Sequence, residues 1–211
     1  GVLNEWDVSQ VSNFKAMFDA CGVFNKPINN WNMISATTIE SMFFAARIFN
    51  QELNSWNVSN VTTVRFCFGD FTSGAVMAFN KPLNSWNTSK ITNFSGMFLS
   101  AKSFNQNISS WNTSAALNLN AMFSNAEVFN QNISIWDINQ VTDFGSFMAG
   151  TLNFSTVNYD LLLINWNNQV PQTGKSISFG NARFTLGGAA AAARASLIST
   201  YGWTITDGGG I

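Results

Sequence analysis

The chain has 211 residues with a net charge of −1, and only 10% of its residues are charged, against a usual share of about 25%. It offers no basic face for phosphate backbones, so the composition excludes nucleic acid as a partner. Twenty phenylalanines and eight tryptophans exclude a disordered chain, and the lack of an apolar run long enough to cross a bilayer predicts no membrane insertion.

Tryptophan recurs along the chain at a nearly constant interval. Seven of the eight tryptophans occupy positions 6, 31, 56, 86, 111, 136 and 166, so the spacings are 25, 25, 30, 25, 25 and 30 residues. A fixed period between about 20 and 50 residues, held over many copies, indicates stacked supersecondary units. Because Gly1 stands in the middle of a repeat, we expect the sequence to be a mature fragment of a longer chain.

Other apolar positions keep the same phase and suggest the local structure. Each tryptophan and the residue two later share a face, as in a short strand. From Phe14 to Cys21 the apolar residues are spaced by three, one and three, which suits a short helix or 3-10 turn. The repeat therefore predicts an α/β solenoid of leucine-rich-repeat-like coils of about 25 residues, each a short parallel strand plus a short helix or 3-10 turn. A pure β-solenoid is the alternative.

The period also divides the chain into regions. Residues 1–166 are the predicted repeat solenoid of about six coils, with five-residue insertions near 69–78 and 155–162 that we expect to be loops. After Trp166 the period breaks, and 167–207 is the predicted C-terminal cap that covers the last coil. An alanine run within the cap predicts a helix at about 189–200, and 208–211 is the expected start of a linker.

Asparagine dominates the polar positions, with 29 copies. One column follows each repeat phenylalanine and consists of Asn25, Asn50, Asn80, Asn105 and Asn130. Stacked at identical corners, these side chains can bond their own turn and the backbone of the next coil, about 4.8 Å away. We interpret this column as a structural ladder rather than a binding site.

A second polar column follows each tryptophan and is predicted to point outward. Its members, with the neighbouring Ser110, are Asp7, Asn32, Asn57, Asn87, Asn112 and Asp137. A row of amides flanked by serines suits sugar hydroxyls or an extended peptide, and it suits an inert solvated face equally well. These seven residues are the candidate ligand-facing stripe.

The sequence lacks the residue combinations that catalysis commonly requires. There is no histidine, so neither a Ser-His-Asp nor a Cys-His set can form. The acidic residues are scattered and give neither a recurring carboxylate pair nor a metal-ligand cluster. We predict no catalytic residues, no metal and no cofactor. Cys21 and Cys67 fall on core positions of the repeat and are expected to be free and buried.

The module resembles the bacterial surface-protein 26-residue repeat, a domain of unknown function related to the BspA-type leucine-rich repeats. That pattern is close to F-N-Q-x-I-x-x-W-D-V-S-x-V-T-x-M-x-x-M-F-x-x-A. It is matched by Phe129-Asn-Gln-Asn-Ile-Ser-Ile-Trp-Asp-Ile-Asn-Gln-Val-Thr-Asp-Phe144 and, in its second half, by Asp7-Val-Ser-Gln-Val-Ser-Asn-Phe14. The segment from Leu161-Leu-Leu-Ile-Asn-Trp166 to Tyr201-Gly-Trp-Thr-Ile-Thr-Asp-Gly-Gly209 is similar to the ending that such arrays carry in secreted proteins.

The resemblance implies a bacterial protein that is extracellular or on the cell surface, without catalytic residues. We expect a non-enzymatic interaction or adhesion module that binds protein or glycan on a host, matrix or neighbouring cell through a solenoid face. The alternative is a structural spacer or assembly subunit of a surface filament or large envelope protein, with no ligand of its own. Self-assembly and flanking domains in a longer chain are compatible with both.

Overall fold

The computed structural model describes residues 2–211, and regular helices and strands in it are confined to the two ends. A 3-10 helix spans Leu3–Glu5. The C-terminal part contains α1 (Thr156–Asn168), β1 (Ser176–Ser178), α2 (Ala189–Ser199) and β2 (Thr204–Thr206) in that order. The repeats between these ends are built from turns and single-residue bridges.

Consecutive repeats lie side by side in parallel. One residue of each repeat, seven positions after tryptophan, forms a parallel bridge with its equivalent in the next repeat. The bridges run from Asn13 to Thr38, Thr63, Asn93, Asn118 and Asp143. The repeats therefore form a stack in which each one contacts its two neighbours in the sequence.

The segment after each bridge is hydrogen bonded in an alternating pattern. In the first repeat the N–H groups of Phe14, Ala16, Phe18 and Ala20 donate to carbonyls of the second repeat. The N–H groups between them donate within their own repeat, Met17 and Asp19 to the carbonyl three residues back and Lys15 to Asn13 Oδ1. The alternation arises because Ala16 and Ala20 both have a φ of 57°, in the left-handed region. Every second N–H is thereby turned towards the neighbouring repeat.

These turns differ from the short helix that the apolar spacing suggested. A helix needs a continuous run of right-handed φ values, and two left-handed residues four positions apart interrupt it. Apart from Phe66, small or turn-forming residues occupy these positions, including Ser41, Ala45 and Ala121. From Trp6 to Trp136, the stretch beside each tryptophan also lacks a regular strand, although Trp31 and Met33 do point into the core together.

Aromatic rings form columns along the stack. Trp86 and Trp111 are each 3% exposed and stack at 6.4 Å between ring centroids with a 6° angle between planes. Two phenylalanine columns run beside the tryptophans and touch within each repeat, as Phe98 does with Phe104 at 3.9 Å. The burial of both tryptophans agrees with the repeat period, which groups them with the other recurring apolar positions. The stacked aromatic rings form the core of the repeat region.

The second insertion is helical rather than a loop. Residues 155–162, expected to bulge from the stack, lie at the start of α1, whose N-terminal N–H of Asn158 is capped by the Ser155 side chain. Tyr159, Leu162, Leu163 and Trp166 form the buried face of this helix, a spacing typical of an amphipathic helix. The cover of the last repeat therefore begins before residue 167.

The C-terminal part consists of two helix-strand units. β1 pairs in parallel with β2, with Ser176 opposite Thr204, and the chain around β1 continues the stack through a bond from Met148 N to Ser178 O of 2.8 Å. Helix α2 covers Ala189–Ser199, beside the 189–200 expected from the alanine run, and packs against α1. Residues 208–211, expected to be the start of a linker, are attached to the cap, because Gly210 forms a parallel bridge with Phe184.

A buried ionic group joins the two C-terminal units. The Asp207 carboxylate accepts hydrogen bonds from Tyr159 Oη at 2.6 Å and from Arg194 Nε at 2.7 Å. Burial raises the pKa of Tyr159, and the neighbouring Asp207 raises it further. The phenol therefore stays protonated and serves as a donor that ties α1 to the end of β2.

The first repeat exposes apolar positions that are buried in the others. Trp6 is 53% exposed and Met17 is 39% exposed, because no repeat within residues 2–211 lies against that face. Cys21, expected in the core, is exposed for the same reason, whereas Cys67 in an internal repeat is buried. Both thiols are free, and burial raises the pKa of Cys67.

Candidate functional site

The outward stripe predicted from the sequence consists of side chains that cap their own turns. In each repeat the side-chain oxygen of the residue after tryptophan accepts a hydrogen bond from the N–H two residues later. The pairs are Asp7 with Ser9, Asn32 with Ile34, Asn57 with Ser59, Asn87 with Ser89, Asn112 with Ser114 and Asp137 with Asn139, at 2.9 to 3.2 Å. These are Asx turns, so the oxygens are already engaged.

The remaining polar atoms of the stripe give it limited binding capacity. Ser110 donates its hydroxyl to the Asn84 carbonyl at 3.0 Å, and hydrogen bonds from Ser9 lower the pKa of Asp7. Asp137 is half-buried, while the other six residues are exposed. The stripe is therefore accessible, but most of its acceptors serve the fold.

The asparagine ladder links each repeat to the next. The Oδ1 atom of each member accepts a hydrogen bond from the backbone N–H of the following member. The pairs are Asn25 with Asn50, Asn50 with Asn80, Asn80 with Asn105 and Asn105 with Asn130, at 2.9 to 3.0 Å. Asn130 then accepts from Ser155 N at 2.9 Å, so the ladder runs to the edge of α1.

A second ladder, which the sequence did not suggest, uses the indole N–H. Trp111 Nε1 donates to the Leu83 carbonyl at 2.9 Å, and Trp56 Nε1 donates to the Ile28 carbonyl at 3.1 Å. The acceptor belongs to the aliphatic residue three positions before the preceding tryptophan. The tryptophan and the aliphatic residue three positions before it recur together in the sequence, but only the stacking of repeats brings the indole N–H and the carbonyl together.

The first insertion, near 69–78, carries an aromatic cluster that the other repeats lack. Phe71 is 65% exposed and its ring contacts Phe66 at 4.7 Å and Phe44 at 5.1 Å between centroids. The Arg65 guanidinium lies over the Phe66 ring at 4.4 Å, within the range of a cation–π contact. We call Phe44, Phe66 and Phe71 the aromatic cluster.

Phe66 stands in a backbone conformation that a bulky residue rarely adopts. Its φ is 53°, and left-handed φ costs a non-glycine residue about 1–2 kcal/mol. The equivalent positions in neighbouring repeats hold Ser41, Gly96 and Ala121. The Phe66 ring covers Gly96, where an added Cβ would lie 2.0 Å from the ring. Strain of this kind is concentrated at functional sites, and here it holds an aromatic ring at the surface.

Asp70 anchors the insertion to the stack. Its side chain is 1% exposed and pairs with Arg47 Nε at 2.8 Å, and it accepts from Thr72 N at 2.7 Å. Burial alone would raise the pKa of Asp70, but the hydrogen bonds from Arg47 and Thr72 outweigh it and lower the pKa. The carboxylate is therefore charged at neutral pH and fixes the start of the loop.

A cavity of about 280 Å³ lies between this loop and the next two repeats. Residues 70–75 form one wall, and the other carries Leu99, Ser100, Lys102, Asn125 and Glu127. Lys102 and Glu127 form an ion pair at 2.7 Å. The insertion thus creates a concave surface beside exposed aromatic rings, which is the usual form of a ligand site.

Residues 2–211 contain neither a cluster of metal ligands nor a membrane-spanning helix. No group of three or more His, Cys, Asp and Glu side chains gathers there in a way that suits a metal ion. In the same described range, no helix combines the length and the hydropathy that crossing a membrane requires.

The chain is a repeat protein: its units are similar in sequence, and ladders of side chains bond each unit to its neighbours. The insertion near 69–78 adds a surface that the other repeats lack. The sequence model of the family described as "Mycoplasma protein of unknown function, DUF285" matches residues 1–76 and again 71–166. The chain belongs to this family. No curated protein and no solved structure matches it.

Proposed function

We propose that the chain is a non-enzymatic interaction module of a bacterial surface or secreted protein, extracellular or at the cell surface, related to the BspA-like repeats. In this proposal the repeats form a leucine-rich-repeat-like solenoid, and one face of it binds protein or glycan on a host, matrix or neighbouring cell. The two helix-strand units of the C-terminal part, α1–β1 and α2–β2, support the leucine-rich-repeat comparison. The turn-built repeats are closer to the alternative, a pure β-solenoid.

The observation that carries the proposal is the aromatic cluster. A large apolar side chain that is 65% exposed beside a second ring held at a strained φ of 53° gives the folded chain no clear stabilisation. Aromatic residues and arginine are enriched at binding interfaces, and Phe71, Phe66 and Arg65 provide both. The surrounding repeats hold small residues at the Phe66 position and lack the insertion that carries Phe71, so the cluster is specific to one place in the stack.

The electrostatics suit recognition better than catalysis. The acidic groups near the cluster are paired, Asp70 with Arg47 and Glu127 with Lys102. The chain contains no histidine to act as a general base near neutral pH. A surface of rings and compensated charges binds a partner without transforming it.

The spacer or assembly-subunit alternative is favoured by one observation, the use of the stripe oxygens in Asx turns. A column whose side chains all serve the backbone is what a purely structural stack requires. The two functions differ in whether any outward surface binds material outside the chain.

The experiment compares two variants for adhesion to purified mucin and purified fibronectin. The first deletes Phe71–Ala75, which returns the Trp56–Trp86 spacing to the 25 residues of the regular repeats and removes the insertion without breaking the period. The second replaces Asn57, Asn87 and Asn112 by alanine and removes the centre of the stripe. Circular dichroism and thermal unfolding verify that each variant is folded.

The interaction module is supported when either folded variant loses at least tenfold in adhesion, and the aromatic cluster predicts the larger loss for the deletion. If only the asparagine variant loses adhesion, the stripe is the binding surface. Unchanged adhesion in both, or no adhesion by the parent chain, favours the spacer. Light scattering then separates a monomeric spacer from a self-assembling subunit.

A further inference from the structure

The cavity beside the insertion has a lining whose charges cancel. Lys102 and Glu127 neutralise each other at 2.7 Å, and Asp70 is neutralised by Arg47 at 2.8 Å. An anionic or cationic ligand therefore meets no uncompensated opposite charge here. The pairing selects against phosphate, carboxylate and ammonium ligands, whose desolvation requires a fixed charge partner.

The same lining offers hydroxyl and amide groups that the fold does not use. The Ser100 hydroxyl lines the cavity and has no hydrogen-bond partner among residues 2–211, although the residue as a whole is only 6% exposed. The side chains of Ser73 and Asn125 also line the cavity. The Ser100 hydroxyl is therefore free to form a hydrogen bond with a ligand that enters the cavity.

Apolar surface adjoins these polar groups. Phe71 lines the cavity and remains 65% exposed, and Leu99 contributes an aliphatic side chain to the opposite wall. The matching ligand therefore has one apolar face for the Phe71 ring and several hydroxyls for Ser100, Ser73 and Asn125. Sugar rings have this amphipathic character, since their C–H groups form apolar patches between the hydroxyls.

We propose that the cavity between residues 70–75 and the Ser100–Glu127 wall binds a neutral sugar unit of a glycan, with Phe71 packed on its apolar face and Ser100 bonded to a hydroxyl. The inference rests on the proposed interaction function and adds its ligand class and its location. The volume of about 280 Å³ is near the lower end of small-molecule sites, which fits one or two sugar rings.

A peptide suits the cavity less well than a sugar. Extended peptides are bound mainly through main-chain bonds to a free sheet edge or in a long groove, whereas this cavity is short. Backbone carbonyls nearby are engaged by the preceding repeat, as the Ser124 carbonyl is by Ser100 N–H at 2.8 Å. A peptide that binds in the cavity more tightly than a neutral sugar would therefore contradict the sugar assignment.

The test is an amide NMR titration of the full chain with galactose, mannose and N-acetylglucosamine. Glucuronic acid and N-acetylneuraminic acid serve as charged comparators, and a short Ala-Asn-Ser peptide represents the peptide class. The variants are Phe71→Ala, Ser100→Ala and the control Ile135→Ala, which removes a side chain that is 66% exposed in a different repeat.

We expect at least one neutral sugar to shift the amides of residues 71–75, Ser100 and Asn125. Phe71→Ala should then weaken its binding about tenfold and Ser100→Ala about fivefold, with the Ile135→Ala control unchanged. The inference is overturned if no neutral sugar shifts these amides at about 100 mM, a hundredfold above a millimolar Kd. It is also overturned if a charged sugar or the peptide binds more tightly, or if the control variant loses as much affinity as Phe71→Ala.

Failure of this inference is distinguishable from failure of the interaction function. If no sugar binds but adhesion still requires residues 71–75, the ligand is a protein and only the glycan assignment falls. If a sugar binds in the cavity while the deletion leaves adhesion to mucin unchanged, the glycan assignment stands and the adhesive role falls.

Discussion

Gly96→Ala should reveal how tightly the aromatic cluster is built into the stack. An added Cβ at Gly96 would lie 2.0 Å from Cδ1 and Cε1 of Phe66, where Cβ atoms essentially never approach within 3.0 Å. Displacing a packed ring costs about 1–3 kcal/mol, and a left-handed φ of 60° adds about 1 kcal/mol for alanine. We therefore expect Gly96→Ala to lower the free energy of unfolding by about 2–4 kcal/mol.

The double variant with Phe66→Ala isolates the contact. Once the ring is removed, Gly96→Ala should cost only the backbone term of about 1 kcal/mol, so the coupling energy between the two positions is about 1–3 kcal/mol. Ala121→Gly is the matched control, because Ala121 occupies the same position one repeat later at a φ of 52° and should change stability by about 1 kcal/mol or less.

Equilibrium urea unfolding, followed by far-ultraviolet circular dichroism, gives the four free energies of this cycle. A coupling below about 0.5 kcal/mol, the usual error of additivity for independent sites, would refute the packing of Phe66 on Gly96. It would also remove the strain argument for the exposed cluster.

Three further predictions address the ladders, the loop anchor and the cap. Trp111→Phe removes a bond of 2.9 Å to Leu83 O, whereas Trp166→Phe removes a buried N–H without a partner, so urea unfolding should show Trp111→Phe to be more destabilising by about 1–3 kcal/mol; equal losses would contradict the indole ladder. Because hydrogen bonds hold the folded pKa of Asp70 below its usual 3.8, its stabilising contribution is present above that value and is lost as the pH falls through the folded pKa. Thermal unfolding between pH 7 and pH 2 should therefore depend less on pH in Asp70→Asn than in the parent chain, and identical profiles would argue against the anchor. Asp207→Ala leaves Arg194 and Tyr159 without their shared acceptor and should cost about 3–5 kcal/mol with loss of helical circular dichroism, and a loss under 1 kcal/mol would show that the cap does not depend on this group.

The repeat phase was readable from the sequence because the core positions are chemically distinctive. Trp86 and Trp111 recur with their apolar neighbours at fixed offsets, and both are buried. The asparagine column was equally legible, since Asn50 and Asn80 occupy one corner of consecutive repeats and are joined by a hydrogen bond of 3.0 Å. Periodicity identifies such positions because every repeat imposes the same environment on them.

Local conformation was harder to predict than phase. Apolar steps of three and four in the segment from Phe14 to Cys21 are typical of a helix, but a sequence does not show that Ala16 and Ala20 adopt left-handed φ values. Alanine is a strong helix former in isolation, and here hydrogen bonds to the next repeat override that preference. The conformation is thus fixed by stacking, which no single repeat contains.

Helix α1 had a readable signal that the repeat phase concealed. Ser155 is a good N-cap, and Tyr159, Leu162, Leu163 and Trp166 follow with helical spacing. The three-residue interval from Leu163 to Trp166 also occurs in every repeat, so the helical pattern and the repeat pattern overlap there. The repeat pattern favoured a loop for residues 155–162. The aromatic cluster gave no such signal, because Phe44 belongs to the repeat before that of Phe66 and meets Phe66 and Phe71 only in the folded stack.

The central claim is that recognition belongs to the insertion, whereas the repeats around it are structural. Hydrogen–deuterium exchange of the full chain, with and without bound mucin, tests this most directly. The account predicts slowed exchange at residues 70–77, 100–102 and 125–127, with unchanged exchange beside Asn57, Asn87 and Asn112. Slowed exchange along that stripe, with the insertion unaffected, would contradict it.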